Sequence, residues 1–395
     1  MTQPSAQQSK QFDTGGVLTM VAGHAVHDTY TAFLAPLLPL FIDNFGLSTT
    51  AAGLLSVFSQ GPSLLQPLIG HLADRVSLRM VVILAPAVSA VMMSLRGVAP
   101  SYAVMALLLL ATGLSSAGLH SVGPVIAGKL SGSSLGRGMS YWMVGGELAR
   151  TLGPILVVSA VQWWGLRGTP WLMIGGLLTS LLLFLRLRNV SDQPAGTASS
   201  LPWRKALLGM RPLLLPLTAL LVARVFSISM LTTYLPTFLS REGANLWLAG
   251  ASLSLLEAAG VAGALTGGSI SDRLGRRKVL FASMLTTPLL MLVFVAVGGW
   301  MRWPLLLLLG FTSLSVTPVI MALVQESYPE NRALANGVYM AISFVMRSVV
   351  VVILGAMGDM LGLRWAFVVS AIITLVGCPV VFLLPQGRPQ GEGST

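Results

Sequence analysis

Charge is scarce in this chain. Only 9% of its 395 residues are Asp, Glu, Lys or Arg, against roughly 25% in an ordinary soluble domain. With so few charges and 54% hydrophobic residues, the chain cannot cover itself with a polar surface, and lipid is the solvent that suits it. Cysteine is nearly absent as well. Cys378 stands alone, which excludes an internal disulfide and any multi-cysteine metal centre. No HExxH occurs, and no second thiol is present for redox work, so an enzyme is not expected. GPVIAGKL at Gly123 to Leu130 lacks the final hydroxyl of a phosphate-binding loop and lies inside an apolar run, so nucleotide-driven pumping is not expected either.

The formal net charge of +11 does not point to nucleic acid, which needs a basic patch on a folded polar face. Apolar runs recur instead from end to end, each long enough for a hydrocarbon core of ~30 Å. The first six are Gly15 to Phe41, Thr50 to Leu72, Met80 to Val98, Tyr102 to Ala127, Gly138 to Val161 and Thr169 to Leu185. Six more begin near Pro212, Trp247, Val279, Trp303, Ala333 and Leu363. The expected fold is an all-α integral membrane protein of twelve transmembrane helices in two pseudo-symmetric six-helix bundles. Its parts are an N-terminal tail over 1–14, a first bundle over 15–187, a central loop over 188–211, a second bundle over 212–385 and a C-terminal tail over 386–395. The first apolar run carries Asp28 and two prolines, unlike a cleavable leader, and is expected to be retained.

Of the 24 Lys and Arg residues, Arg150, Arg224 and Arg347 fall inside spans, and only Arg96, Arg167, Arg241, Arg302 and Arg364 fall in gaps opposite the N-terminus. The rest share the N-terminal side, so the positive-inside bias predicts cytoplasmic termini and a cytoplasmic central loop in a bacterial cytoplasmic membrane. The halves also repeat. Gly70, Asp74, Arg75 and Arg79 recur as Gly268, Asp272, Arg273 and Arg277, Tyr141 recurs as Tyr339, and GLR at Gly165 recurs at Gly362. Paired six-helix repeats are a known plan for secondary transporters, with substrate near the midplane between the halves.

The repeated GxxxDRxxxR loop resembles that of the major facilitator superfamily, over nearly the whole chain. The resemblance implies a cytoplasmic gate at Gly70, Asp74, Arg75 and Arg79 and at Gly268, Asp272, Arg273 and Arg277, with each Asp at a helix end and the arginines pairing to neighbouring helices. GHAVHD at Gly23, SLLQPLIGHLADR at Ser63, GLHSVGP at Gly118, VGGELARTLGP at Val144 and QESYPENRALANG at Gln325 are similar to the fosmidomycin-resistance group of bacterial efflux proteins. TLGP also resembles part of an antiporter motif, although Val157 and Val158 stand where paired glycines are expected, and Glu147 and Arg150 where neutral residues are.

Ionisable groups inside a bilayer cost at least ~2.5 kcal/mol each on insertion scales, so those retained are functional candidates. The acids are Asp28, Glu147 and Glu257, the bases are Arg150, Arg224 and Arg347, and His24, His27 and His120 can be either. His24, His27 and Asp28 stand at i, i+3 and i+4 and share a helix face, as do Glu147 and Arg150 at i and i+3. Asp28 or Glu147 is expected to carry a coupled proton, with Glu257 a further candidate, and the arginines to attract an anionic group or release the carboxylate. A static ion-pair network is the structural alternative. Tyr30, Tyr141, Trp142, Tyr234, Gln325 and Tyr339 are candidate cavity residues. Pro36, Pro39 and Pro236 are expected to kink helices 1 and 7. The expected activity is proton-coupled efflux of a small organic or drug-like molecule by a monomer that uses the proton gradient and no cofactor. Alternatives are transport of a small organic anion, a channel, and a divalent-metal exporter using His24, His27, Asp28 and His120, a ligand set that is sparse.

Overall fold

The computed structural model describes residues 11–73, 75–132, 134–188, 210–328 and 332–385, and among these it contains helices and connections but no strand. The tails, the central loop and Asp74 fall mostly or wholly outside the described residues. Helices of the first half are α1 (Thr14–Phe45), α2 (Thr49–Gln60, continued by Gly61–Leu65 and Gln66–Ala73), α3 (Arg79–Val98), α4 (Tyr102–Leu130), α5 (Leu135–Trp164) and α6 (Leu166–Leu187). Those of the second are α7 (Arg211–Arg241), α8 (Leu246–Leu274), α9 (Arg276–Ala296), α10 (Gly299–Ser327), α11 (Arg332–Leu361) and α12 (Leu363–Leu383). Eleven are long and apolar enough to cross a membrane. The twelfth is α2, whose apolar run is diluted by Gln60, Gln66 and His71 but which packs among the others against α4 and α11.

Helix ends follow local chemistry. The repeated GLR places Gly165 and Gly362 at positive φ, 67° and 82°, where a side chain is strained and glycine is not. Each turns the chain tightly between α5 and α6 or between α11 and α12. Helix α9 begins at Arg276 rather than near Val279, because Arg276, Arg277 and Lys278 form its charged first turn and hide the start from an apolar scan. Helix α1 breaks after Thr31 and resumes at Leu34, just ahead of Pro36, which supplies no amide to the ladder. Helix α7 contains a π turn over Met230–Tyr234 immediately before Pro236, the kind of local widening that gathers at working sites.

Each half has two apolar cores, one toward the end that bears the termini and one toward the opposite end. Trp163, Trp164, Trp171, Trp300 and Trp365 are exposed near the end distal to the termini. They form an aromatic belt of the kind that marks a membrane interface. The halves touch at this distal end. Asp43 lies 3.9 Å from Arg241, Trp247 Nε1 donates to Ser159 Oγ at 3.0 Å, and the Ile155 amide donates to Ser254 Oγ at 3.1 Å. Tyr234 donates its hydroxyl to Val351 O at 2.8 Å and reaches Thr49 O at 3.4 Å. The Asp359 carboxylate accepts from the amides of Thr49 and Thr50, at 2.5 and 2.9 Å, and from the Thr50 hydroxyl. Ser48 accepts from Ala51, so the N-terminus of α2 is capped jointly by its own half and by the other.

Candidate functional site

The first constellation lies between α1, α4 and α5. Asp28 sits at its centre, with His27 Nδ1 2.8 Å from Oδ1 and with His24 Nε2 and His120 Nε2 3.1 and 3.5 Å from Oδ2. The other ring nitrogens of two histidines face carbonyls: His24 Nδ1 donates to Trp142 O at 3.0 Å and His120 Nδ1 to Ser116 O at 2.9 Å. A carbonyl only accepts, so both rings carry hydrogen on Nδ1. The His24 ring stacks on Trp142 with centroids 3.9 Å apart. Gly146 lets α5 approach this closely, since a Cβ there would stand 2.8 Å from His24 Cε1 and 3.4 Å from Asp28 Oδ2. Asp28 is 10% exposed, whereas the His120 side chain keeps 32%.

The second constellation crosses the seam between the halves. On α5, Arg150 pairs directly with Glu147, and across the seam its Nε stands 3.6 Å from Glu257 Oε2 on α8. Glu257 is buried and its Oε2 takes no hydrogen bond, while the Arg150 side chain stays 45% exposed. The guanidinium thus has partners in both halves and keeps nearly half of its surface exposed. Arg347 donates to Thr232 Oγ1 in the π turn of α7 at 3.0 Å, and its Nε has no partner. Both helical spacings read from the sequence bring their members together here.

The aromatic candidates divide. Trp142 is buried as the stacking base of His24, and Tyr141 is exposed against Phe12. Tyr234 is wholly buried where α2, α7 and α11 meet, so it seals the seam instead of lining an open space. Tyr30 and Tyr339 require correction. Tyr30 packs in the first half with its hydroxyl donated to Leu172 O, and Tyr339 is buried in the core of the second half. Each apolar ring had a core to fill, and neither faces the seam. Arg224 donates to Ser313 O at 2.8 Å and to Thr317 Oγ1 at 3.3 Å within the second half. Gln325 is half-buried near the end of α10.

In the first of the two repeated loops, Asp74 lies outside the described residues, Arg75 is exposed, and Arg79 is half-buried. Gly70 and Gly268 both leave open space where a Cβ would go. In the second loop Asp272 pairs at 2.5 Å with Arg276, not with Arg277, and Arg276 reaches on to Glu326 of α10 at 2.7 Å. Arg273 is exposed and Arg277 half-buried. Arg276 and Glu326 were missed because the repeat aligns Arg79 with Arg277, whereas the turn at Gly275, with φ 95°, sets the first residue of α9 against Asp272 near the end of α8. Asp359 was missed because it stands at a helix end, where an acid costs little and draws no notice.

The Major Facilitator Superfamily model matches residues 20–351 and 258–395. The chain is 24% identical to the fosmidomycin resistance protein of Escherichia coli K12 over 97% of its own length and 96% of that protein's. It is 22% identical to the multidrug resistance protein MdtG of Enterobacter lignolyticus, covering 74% of this chain and 73% of that one. Among solved structures, a bacterial homologue of the human lysosomal transporter Spinster, in an inward-facing and occupied conformation, superposes with a TM-score of 0.80 at 15% identity, over 95% of this chain and 97% of that one. A D-xylose–proton symporter superposes with a TM-score of 0.79 at 13% identity, over 95% and 98%. Twelve helical passes in two related halves, meeting at a charged seam, accord with these matches: the chain belongs to the major facilitator superfamily of membrane transporters.

Proposed function

We propose that this chain is a proton-coupled exporter of a small organic molecule, working by alternating access in a bacterial cytoplasmic membrane, with both termini in the cytoplasm. The observation that carries the reading is the Glu147–Arg150–Glu257 cluster, mid-span, shared by the two halves and with its arginine nearly half exposed. Efflux-type relatives support the direction of transport. In the orientation that the positive-inside bias favours, the contacts of Asp359, Tyr234 and Trp247 close the periplasmic end, and substrate enters from the cytoplasm. Both halves belong to one chain, so a monomer is a complete transporter.

Coupling follows from rivalry for Arg150. While the halves lie together, Arg150 compensates both Glu147 and Glu257. Rocking α5 from α8 separates Arg150 from Glu257, and a buried carboxylate that loses its cation neutralises itself by binding a proton. Closure brings Arg150 back and expels that proton. The groups facing Glu257 are Arg150, Glu147 and Arg347, so the exchange is a local trade of a cation for a proton. Energy comes from the proton gradient, with no nucleotide or cofactor.

The test is ΔpH-driven accumulation of fosmidomycin, used as a probe because of the relative that it names, in everted vesicles containing this protein. Glu257→Gln should lower ΔpH-driven accumulation at least tenfold while leaving probe binding to the purified protein intact. Unchanged ΔpH-driven transport by Glu257→Gln would sink the coupling scheme. A second reading, transport of a small organic anion, is favoured by the half-exposed Arg150 and the unpartnered Nε of Arg347, which together offer a cationic wall.

A further inference from the structure

The seam cluster accounts for the carboxylates of α5 and α8, but it makes no use of three histidines gathered on one aspartate. Because His24 and His120 hold their hydrogens on Nδ1 against Trp142 O and Ser116 O, each ring, when neutral, presents an Nε2 lone pair to Asp28 Oδ2. That oxygen is itself an acceptor. Three electron pairs therefore converge on one spot, and His24 Nε2 is buried there with no hydrogen-bond partner. A proton on one ring fills one N···O line only, and two are needed to fill both. One cation with several coordination positions satisfies all three.

We infer that His24, Asp28 and His120 form a binding site for a divalent transition-metal ion of the zinc class. Two imidazoles and a carboxylate are the donors such ions prefer. With metal–ligand bonds of 2.0–2.2 Å, the edge of a coordination tetrahedron is about 3.4 Å. The His24 and His120 nitrogens lie 3.1 and 3.5 Å from Asp28 Oδ2. All three ligand atoms fall within 4.8 Å of one another, and the side chain of His120, one-third exposed, is the one free to close the remaining edge. The surroundings also fit. A ligand histidine ordinarily donates its other nitrogen to a carbonyl or carboxylate, as His24 and His120 both do, and His27 holds the second oxygen of Asp28 at 2.8 Å. The nearby positive charge of Arg150 is already matched by Glu147 and Glu257, so it does not bar a cation. His120, one-third exposed, is the ligand that an entering ion would reach first.

The experiment is titration of the purified, tag-free protein in detergent with Co²⁺, a visible-absorbing stand-in for Zn²⁺. One Co²⁺ per chain is expected, with the d–d bands of four-coordination, displaced by Zn²⁺. His120→Ala and His24→Ala should abolish the bands, His27→Ala should weaken binding about 10- to 100-fold, and His71→Ala, remote on α2, should bind as the parent does. Thermal melts of the metal-free variants identify any that fail to fold, and His120→Gln, at the most exposed ligand, then carries the test. Absence of a saturable band in the parent protein, or undiminished binding by His120→Ala or His120→Gln, overturns the inference. Glu257→Gln should bind Co²⁺ normally, which separates this result from the fate of the coupling scheme.

Discussion

Arg150 illustrates what a single residue contributes when its partners lie in different bodies. Glu147 is its neighbour by helical spacing, and Glu257 its neighbour only because α5 packs on α8. Removing one member of such a set strands the others. Arg150→Ala should therefore destabilise the purified protein by about 1–3 kcal/mol, below the value for a fully buried pair because the guanidinium is partly solvated. Arg150→Ala/Glu257→Gln should recover part of that loss. Melting temperatures of the parent, both single variants and the double variant would measure the coupling; additive losses would show that the two residues do not interact. Here the sequence was half legible. The i, i+3 and i, i+4 spacings announced the Glu147–Arg150 pair and the His24–Asp28 face, because one helix carries both members. His120, the Trp142 carbonyl and Glu257 reach these groups from other helices, which spacing along one helix does not address.

Among the elements, the N-terminus of α2 is unusual in borrowing its cap. Ser48 satisfies one amide, and Asp359 of α11 satisfies two more from the opposite half. A side-chain cap contributes roughly 0.5–2 kcal/mol, and this one exists only while the halves are closed at that end. Asp359→Ala should thus shift the equilibrium toward distal opening by about 1–2 kcal/mol, roughly tenfold. With Cys378 replaced by Ser, alkylation of a cysteine at Ser254 by a membrane-impermeant reagent applied from the distal side should quicken by that factor. An unchanged rate would show that the cap does not hold the gate. The helix boundaries were largely readable, since apolar length in lipid is a strong constraint. The π turn of α7 was not, although Pro236 just after it gave a reason to expect distortion.

For the whole molecule, the proposed alternating access would require α5 and α8 to part at the distal end, where Gly250 allows close approach. A Cβ on Gly250 would lie 3.2 Å from that of Val158, near the 3.5–4.5 Å span of a disulfide. In a Cys378→Ser background, Val158→Cys/Gly250→Cys should cross-link on oxidation and lose at least nine-tenths of its transport, and reduction should restore it. Full activity of the cross-linked protein would exclude a rocking motion at this seam. Neither single-cysteine variant should respond to oxidant.

Lipid compatibility, the number of passes and the two-fold repeat were all determined by the sequence alone. Each depends on quantities that run along the chain: apolar length, period and spacing. Which acid meets which base, which end of the molecule is sealed, and which tyrosines were spent on cores instead of the seam were decided only by tertiary structure. Those outcomes depend on distances between helices far apart in sequence, and a residue's neighbours across a seam leave no periodic trace in its own helix.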